Sequence, residues 1–123
     1  MKAAKKDIKL KMSNTDFEIR ETQWGDMNVG WEIFHKKMDA GPMFKGLPDG
    51  MCQSPHWGYI LKGKMTINYK DHKETVSVGE VYYLAPGHIP IVEAGTEIVE
   101  FSPKKEYQKT LEVVEKNMQA ISK

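Results

Sequence analysis

The chain has 123 residues, the length of one compact domain, and 18 Lys and Arg against 17 Asp and Glu leave a net charge of +1. That balance argues against a dedicated nucleic-acid binder or membrane-surface protein, so neither is expected as a partner. A single cysteine, Cys52, excludes a disulfide framework or a Cys-rich zinc site within one chain, and no apolar run or N-terminal h-region marks a bilayer span or a secretory signal, so a cytoplasmic location is expected.

Residues 1–12 hold Lys2, Lys5, Lys6, Lys9 and Lys11 against Asp7, a local charge of +4. Residues 1–16 therefore read as a basic arm, expected to be solvated and frayed, with contact to an acidic partner as the alternative. From Phe17 onward the chain reads as short strands. Phe17 and Ile19 alternate with polar residues; Val29, Trp31, Ile33 and His35 share one side of a strand, and Gly30, Glu32 and Phe34 the other. WGYIL, a Lys62-Gly63 turn and KMTINY form a predicted hairpin. Val76 and Val78, then VYYL, IPIVE and EIVEFS follow, punctuated by Gly79-Glu80, Ala85-Pro86-Gly87 and Ala94-Gly95. Many short strands with Gly and Pro between them predict an all-β antiparallel sandwich or barrel over 17–102.

The chain closes with Tyr107, Leu111, Val114, Met118 and Ile121 at spacings of 4, 3, 4 and 3, one stripe of an amphipathic helix over 103–121. Ser102 is its predicted N-cap and Pro103 its first residue. The stripe packs either on its own barrel or against a second copy, and the expected assembly is a C2 homodimer, with Trp57 and Tyr59 as outward contacts.

Two runs of 12 residues, 50–61 (GMCQSPHWGYIL) and 81–92 (VYYLAPGHIPIV), are the longest without Asp, Glu, Lys or Arg, and each carries one histidine, His56 and His88. Segment 39–54 (DAGPMFKGLPDGMCQS) is broken by Gly and Pro yet holds Met43, Phe44, Leu47 and Met51. A loop of that length and apolarity is expected to fold over something, most simply the mouth of a barrel.

PHWGYILKGKMTI, a short turn containing Asp71, and VSVGEVYYLAPGHIPIVEAGTEIVEF together resemble the cupin family. Cupins pair a first motif, H-x-H…E…G, with a second, G…P-x-G…H. Gly63 matches the glycine closing the first, Gly79 the glycine opening the second, and Ala85-Pro86-Gly87 its P-x-G with Ala leading. The resemblance implies a single-domain antiparallel jelly-roll barrel carrying the C-terminal helix. The family's metal ligands do not carry over as the usual residues. The Glu position falls on His56, the second His on Cys52 (Met51 in the alternative spacing), the first on Gly50 or Asp49, and the second-motif His on Pro90. His88 lies two residues before that place.

His56, Cys52 and His88 could still supply three ligands to a divalent zinc, iron, manganese or nickel ion. Gly58 shares the His56 face of its strand and is expected to leave a gap for a ligand. The competing reading of Cys52 is a buried small residue, and that of His88 a hydrogen-bonded turn residue. His72 reads as solvated, His35 as a sheet-face residue, and Glu93, Glu97 and Glu100 as strand-surface residues. Three functions follow: a binder of a small organic molecule, with His56 as its principal anchor; a metal-dependent enzyme of cupin type (oxygenase, isomerase or decarboxylase), which the resemblance alone implies; and a dimeric accessory protein with no pocket chemistry.

Overall fold

A computed structural model describes residues 1–121. Ten strands run β1 (Leu10–Ser13), β2 (Phe17–Trp24), β3 (Met27–Phe34), β4 (Met38–Asp39), β5 (His56–Lys62), β6 (Lys64–Tyr69), β7 (Lys73–Ser77), β8 (Val81–Leu84), β9 (His88–Val92) and β10 (Thr96–Pro103), followed by one helix, α1 (Lys104–Ile121). They form two antiparallel sheets, a six-stranded one in the order β1-β2-β3-β10-β5-β8 and a four-stranded one in the order β4-β9-β6-β7. The predicted all-β fold with one C-terminal helix is the fold observed.

Period-two alternation builds the core. Phe17, Phe34, Ile60, Tyr82, Leu84 and Ile98 of the larger sheet pack against Met65, Ile67, Val76 and Val92 of the smaller. Burying each such side chain contributes about 1.5–3 kcal/mol before conformational entropy is set against it. The hairpin turn between β5 and β6 is the single residue Gly63, at φ +78°, where a Cβ would lie 2.7 Å from Thr96 Cα. Only glycine fits both that backbone and that contact.

The basic arm is docked, which departs from the frayed terminus expected of its charge. β1 pairs with β2, placing Met12 beside Ile19. Ile8 is buried, and its carbonyl accepts a bond from Arg20 Nη1 at 3.0 Å. Lys5 Nζ donates to Glu97 Oε2 at 3.2 Å. The apolar residues between the lysines gave the arm a surface to bury. His35 lies on the exposed bend after β3 rather than on the sheet face.

Ser102 is a correction too. β10 runs to Pro103 and the helix begins at Lys104. Ser102 is a buried strand residue and caps nothing, because the helix continues directly from the strand. The helix lies on its own barrel: Tyr107, Leu111, Val114 and Met118 face the interior, while Ile121 is exposed. Asn117 Nδ2 donates to the carbonyls of Met43 at 2.7 Å and Lys45 at 2.8 Å, joining helix and loop. No helix among the described residues is long and apolar enough to cross a membrane.

Candidate functional site

Between the sheets lies a cavity of about 170 Å³, similar to the ~150 Å³ that accommodates a benzene ring. Its walls are mostly apolar. Met12, Met38, Met43, Met65 and Met118 all line it, so these methionines border open space. Loop 39–54 covers part of it through Ala40, Met43, Phe44 and Cys52, and α1 covers the rest through Tyr107, Thr110, Leu111, Val114 and Met118. The cover is thus the loop and the helix together.

At one end the structure brings Cys52, His56 and His88 together, all buried, with one donor atom from each within 4.8 Å of the others. His56 opens β5 and His88 opens β9. Cys52 belongs to no named strand, and the main chain fixes it. Cys52 N donates to His88 O at 2.9 Å, while the amides of Gly87 and His88 donate to Cys52 O at 2.8 and 3.3 Å. Cys52 Sγ lies 3.5 Å from His56 Nε2. His56 turns Nδ1 toward Ser102 Oγ at 2.5 Å and Glu100 Oε2 at 3.7 Å. The two imidazoles meet edge to face at 5.2 Å.

The tautomer of His88 follows from its partner. Nδ1 faces the Ala85 carbonyl at 2.6 Å; a carbonyl only accepts, so Nδ1 carries the proton and Nε2 is an acceptor. That Nε2 is buried and has no hydrogen-bond partner. Burial holds His88 down to about 4, with the neighbouring His56 adding to the effect and the Ala85 bond opposing it. The imidazole is therefore neutral and able to ligate. Burial pushes the Cys52 thiol up to about 11, against hydrogen bonding with Ser54 and Thr110. The sulfur is a thiol unless a cation displaces its proton.

These three donors could hold a divalent metal. A tetrahedral zinc, at ~2.3 Å from sulfur and ~2.1 Å from nitrogen, sets those two ligand atoms about 3.6 Å apart, close to the 3.5 Å between Cys52 Sγ and His56 Nε2. The Ala85 carbonyl orients His88 as an outer-shell partner orients a ligating histidine.

The other polar end was not foreseen. Glu100 stands in a cross-strand row between Gly30 of β3 and Gly58 of β5. The gap that Gly58 leaves is not open to a ligand: a Cβ there would meet the ring carbon bearing the Tyr82 hydroxyl, which fills it. Tyr82 OH donates to Glu100 Oε1 at 2.7 Å. Glu32, two residues beyond Gly30 on the same face, lines the cavity beside Glu100. Burial, then the charges of Glu100 and Glu21, hold the Glu32 carboxyl well above the usual carboxylate range. Nearby, Glu21 accepts from Tyr107 OH at 2.6 Å and Lys11 Nζ at 2.9 Å. Glu100 and Glu32 both line the cavity, so the surface role expected of Glu100 is wrong. The signal for Glu32 lay in its sharing a face with Gly30 and Phe34.

No family model and no curated protein matches the sequence. Solved structures do. An RmlC-like cupin from Shewanella frigidimarina is 12% identical with a TM-score of 0.56, over 82% of this chain and 88% of that one. The polyketide cyclase RemF from Streptomyces resistomycificus is 14% identical with a TM-score of 0.58, over 85% and 79%. A variant of Bacillus subtilis oxalate decarboxylase is 12% identical with a TM-score of 0.56, over 80% of this chain and 28% of that one.

Proposed function

We propose that this chain, whose fold is that of the cupin superfamily, binds a small organic molecule in the barrel cavity, with His56, Cys52 and His88 as its polar end. One observation carries this reading: a mostly apolar cavity is bordered by a buried acceptor, His88 Nε2, that stands without a partner. An unsatisfied buried polar atom costs about 1–3 kcal/mol, which a bound group would remove.

The same nitrogen favours a second reading, a metal-dependent enzyme acting on a small organic substrate. Cys52 Sγ, His56 Nε2 and His88 Nε2 would hold the ion. One sulfur and two imidazoles suit zinc, iron or nickel better than manganese. A metal there would act as a Lewis acid on a substrate oxygen or on water. This chain's own residues orient the donors, keep His88 neutral and exclude bulk water.

Elemental analysis of protein purified without a chelating tag separates the two. One equivalent of metal supports the second reading; none, together with ligand-induced thermal shifts, supports the first. Removing a donor by His56→Ala or His88→Ala is expected to weaken zinc binding by roughly 100-fold or more, with His72→Ala, on the exposed turn, unchanged. Zinc affinity unaltered in both donor variants rules out the Cys-His-His site.

The second copy belongs on the outer face of the six-stranded sheet. Trp57 and Tyr83 are 44% and 50% exposed. They pair across β5 and β8, and Phe101 pairs with Trp57 across β10 and β5. A contiguous aromatic face of this kind fits a C2 homodimer. Light scattering should give twice the 14.1 kDa chain mass; the monomer mass at micromolar concentration contradicts it.

A further inference from the structure

The hydrogen-bonding groups of the cavity can be divided into those already engaged and those left over. The Tyr82 hydroxyl is engaged with Glu100. The Cys52 thiol lies among His56, Ser54 and Thr110. Lys11 pairs with Glu21 and Glu115. Among the described residues no lysine or arginine forms an ion pair with Glu32 or Glu100, and the only cationic candidate at Glu100 is His56, at 3.7 Å. What is left over is two acidic side chains in the cavity wall with no paired lysine or arginine, Glu32 and Glu100, and the Nε2 of His88, 1% exposed and unpartnered. A free buried acceptor is complemented by a donor, and buried acids without a paired cation are complemented by positive charge, which would draw the proton off Glu32. Beyond them the walls are methionine and aromatic side chains, polarisable surfaces that suit the apolar body of an organic cation.

We infer that the ligand class of this cavity is a small primary amine with an apolar body, its ammonium held by Glu32 and Glu100 with His88 Nε2 as a further acceptor. This rests on the reading that the cavity binds a small organic molecule. The ammonium brings three donors to a site short of donors. Its charge stands where, among the described residues, no lysine or arginine pairs with Glu32 or Glu100. The cavity volume limits the body to about the size of one ring.

Calorimetric titration of the full chain with benzylamine, benzyl alcohol and benzoate tests this, in protein with and without prior chelator treatment. The three probes share a ring and differ in charge and donor count. Benzylamine should bind at least ~10-fold more tightly than the other two, a difference of about 1.4 kcal/mol. Glu100→Gln should bring benzylamine down to the level of benzyl alcohol and leave the alcohol unchanged. Glu32→Gln provides the same readout if the first variant does not fold, and the ranking in the unmodified chain needs no variant. Benzyl alcohol or benzoate binding as tightly as benzylamine overturns the inference and leaves the cavity reading standing. No binding by any of the three overturns both. Benzylamine binding that chelation abolishes and Glu100→Gln leaves intact is coordination to a metal, and it too overturns the inference.

Discussion

The two polar ends of the cavity solve the problem of burying polar atoms in opposite ways. At the end formed by Cys52, His56 and His88, burial holds the His88 imidazole unprotonated and the Cys52 thiol protonated in the absence of a cation. At the other, acidic groups are kept inside by burial, which raises the Glu32 carboxyl well above the usual range, and by a phenol that donates to Glu100. The first end is positioned by main-chain hydrogen bonds between a loop and a strand start. The second is positioned by the pleat, which sets Glu100 between two glycines. A site held by the main chain can lose a side chain and keep its shape. A site held by side chains filling one another's space cannot.

The widest separation between the two ends should appear in pH dependence. Between about 4 and 6.5 the unfolded chain binds a proton at residue 88 that the folded chain refuses. Stability of the metal-free protein is therefore full above pH 6.5 and falls as pH drops toward 4, by up to about 3 kcal/mol from this group. Glu32 works in the reverse sense. Its folded carboxyl holds a proton that the unfolded chain releases, so its contribution declines as pH rises above the usual carboxylate range. Denaturant titrations from pH 4 to 7, compared with His88→Gln, would show the acid-side slope disappear in the variant; an unchanged slope assigns it elsewhere.

Gly58→Ala should damage the carboxylate end first. Its Cβ would lie 2.3 Å from a Tyr82 ring carbon and 2.6 Å from the Val99 carbonyl, a clash expected to cost about 2 kcal/mol. Zinc affinity should fall with it, because Glu100 lies 3.7 Å from His56 Nδ1 and Gly58 stands two residues from His56 on β5; an unchanged affinity would show the two ends to be independent. Tyr82→Phe is the gentler version. It removes the donor to Glu100 and is expected to cost about 1 kcal/mol in stability, read from the unfolding midpoint, while leaving the Cys52–His88 main-chain contact intact.

The sequence made the first end legible because its residue types are scarce. One cysteine and two of four histidines fell within charge-free runs, and the cupin-like glycines set a frame on which to count. The second end was hidden because glutamate is ordinary on a strand. Placing Glu100 inside requires knowing that Gly30 and Gly58 flank it across two different pairings, with partners 70 and 42 residues away. Strand existence was local information; strand order was not. The helix stripe was visible, yet whether it met its own barrel or another copy depended on Asn117 meeting the carbonyls of Met43 and Lys45. The charge of the arm hid Ile8 and Met12, whose burial decided its place.

Cys52 and His88 lie 36 positions apart in the chain, and peptide groups alone hold them together. The entropy of closing that stretch of chain is therefore lost once, when the protein folds, and no incoming group has to supply it again. Side chains at these two positions are exchangeable termini on a fixed bracket. Cys52→His or His88→Cys would alter which ions the bracket prefers without altering how it is assembled, so the chemistry of this end can drift across related sequences while its architecture stays the same.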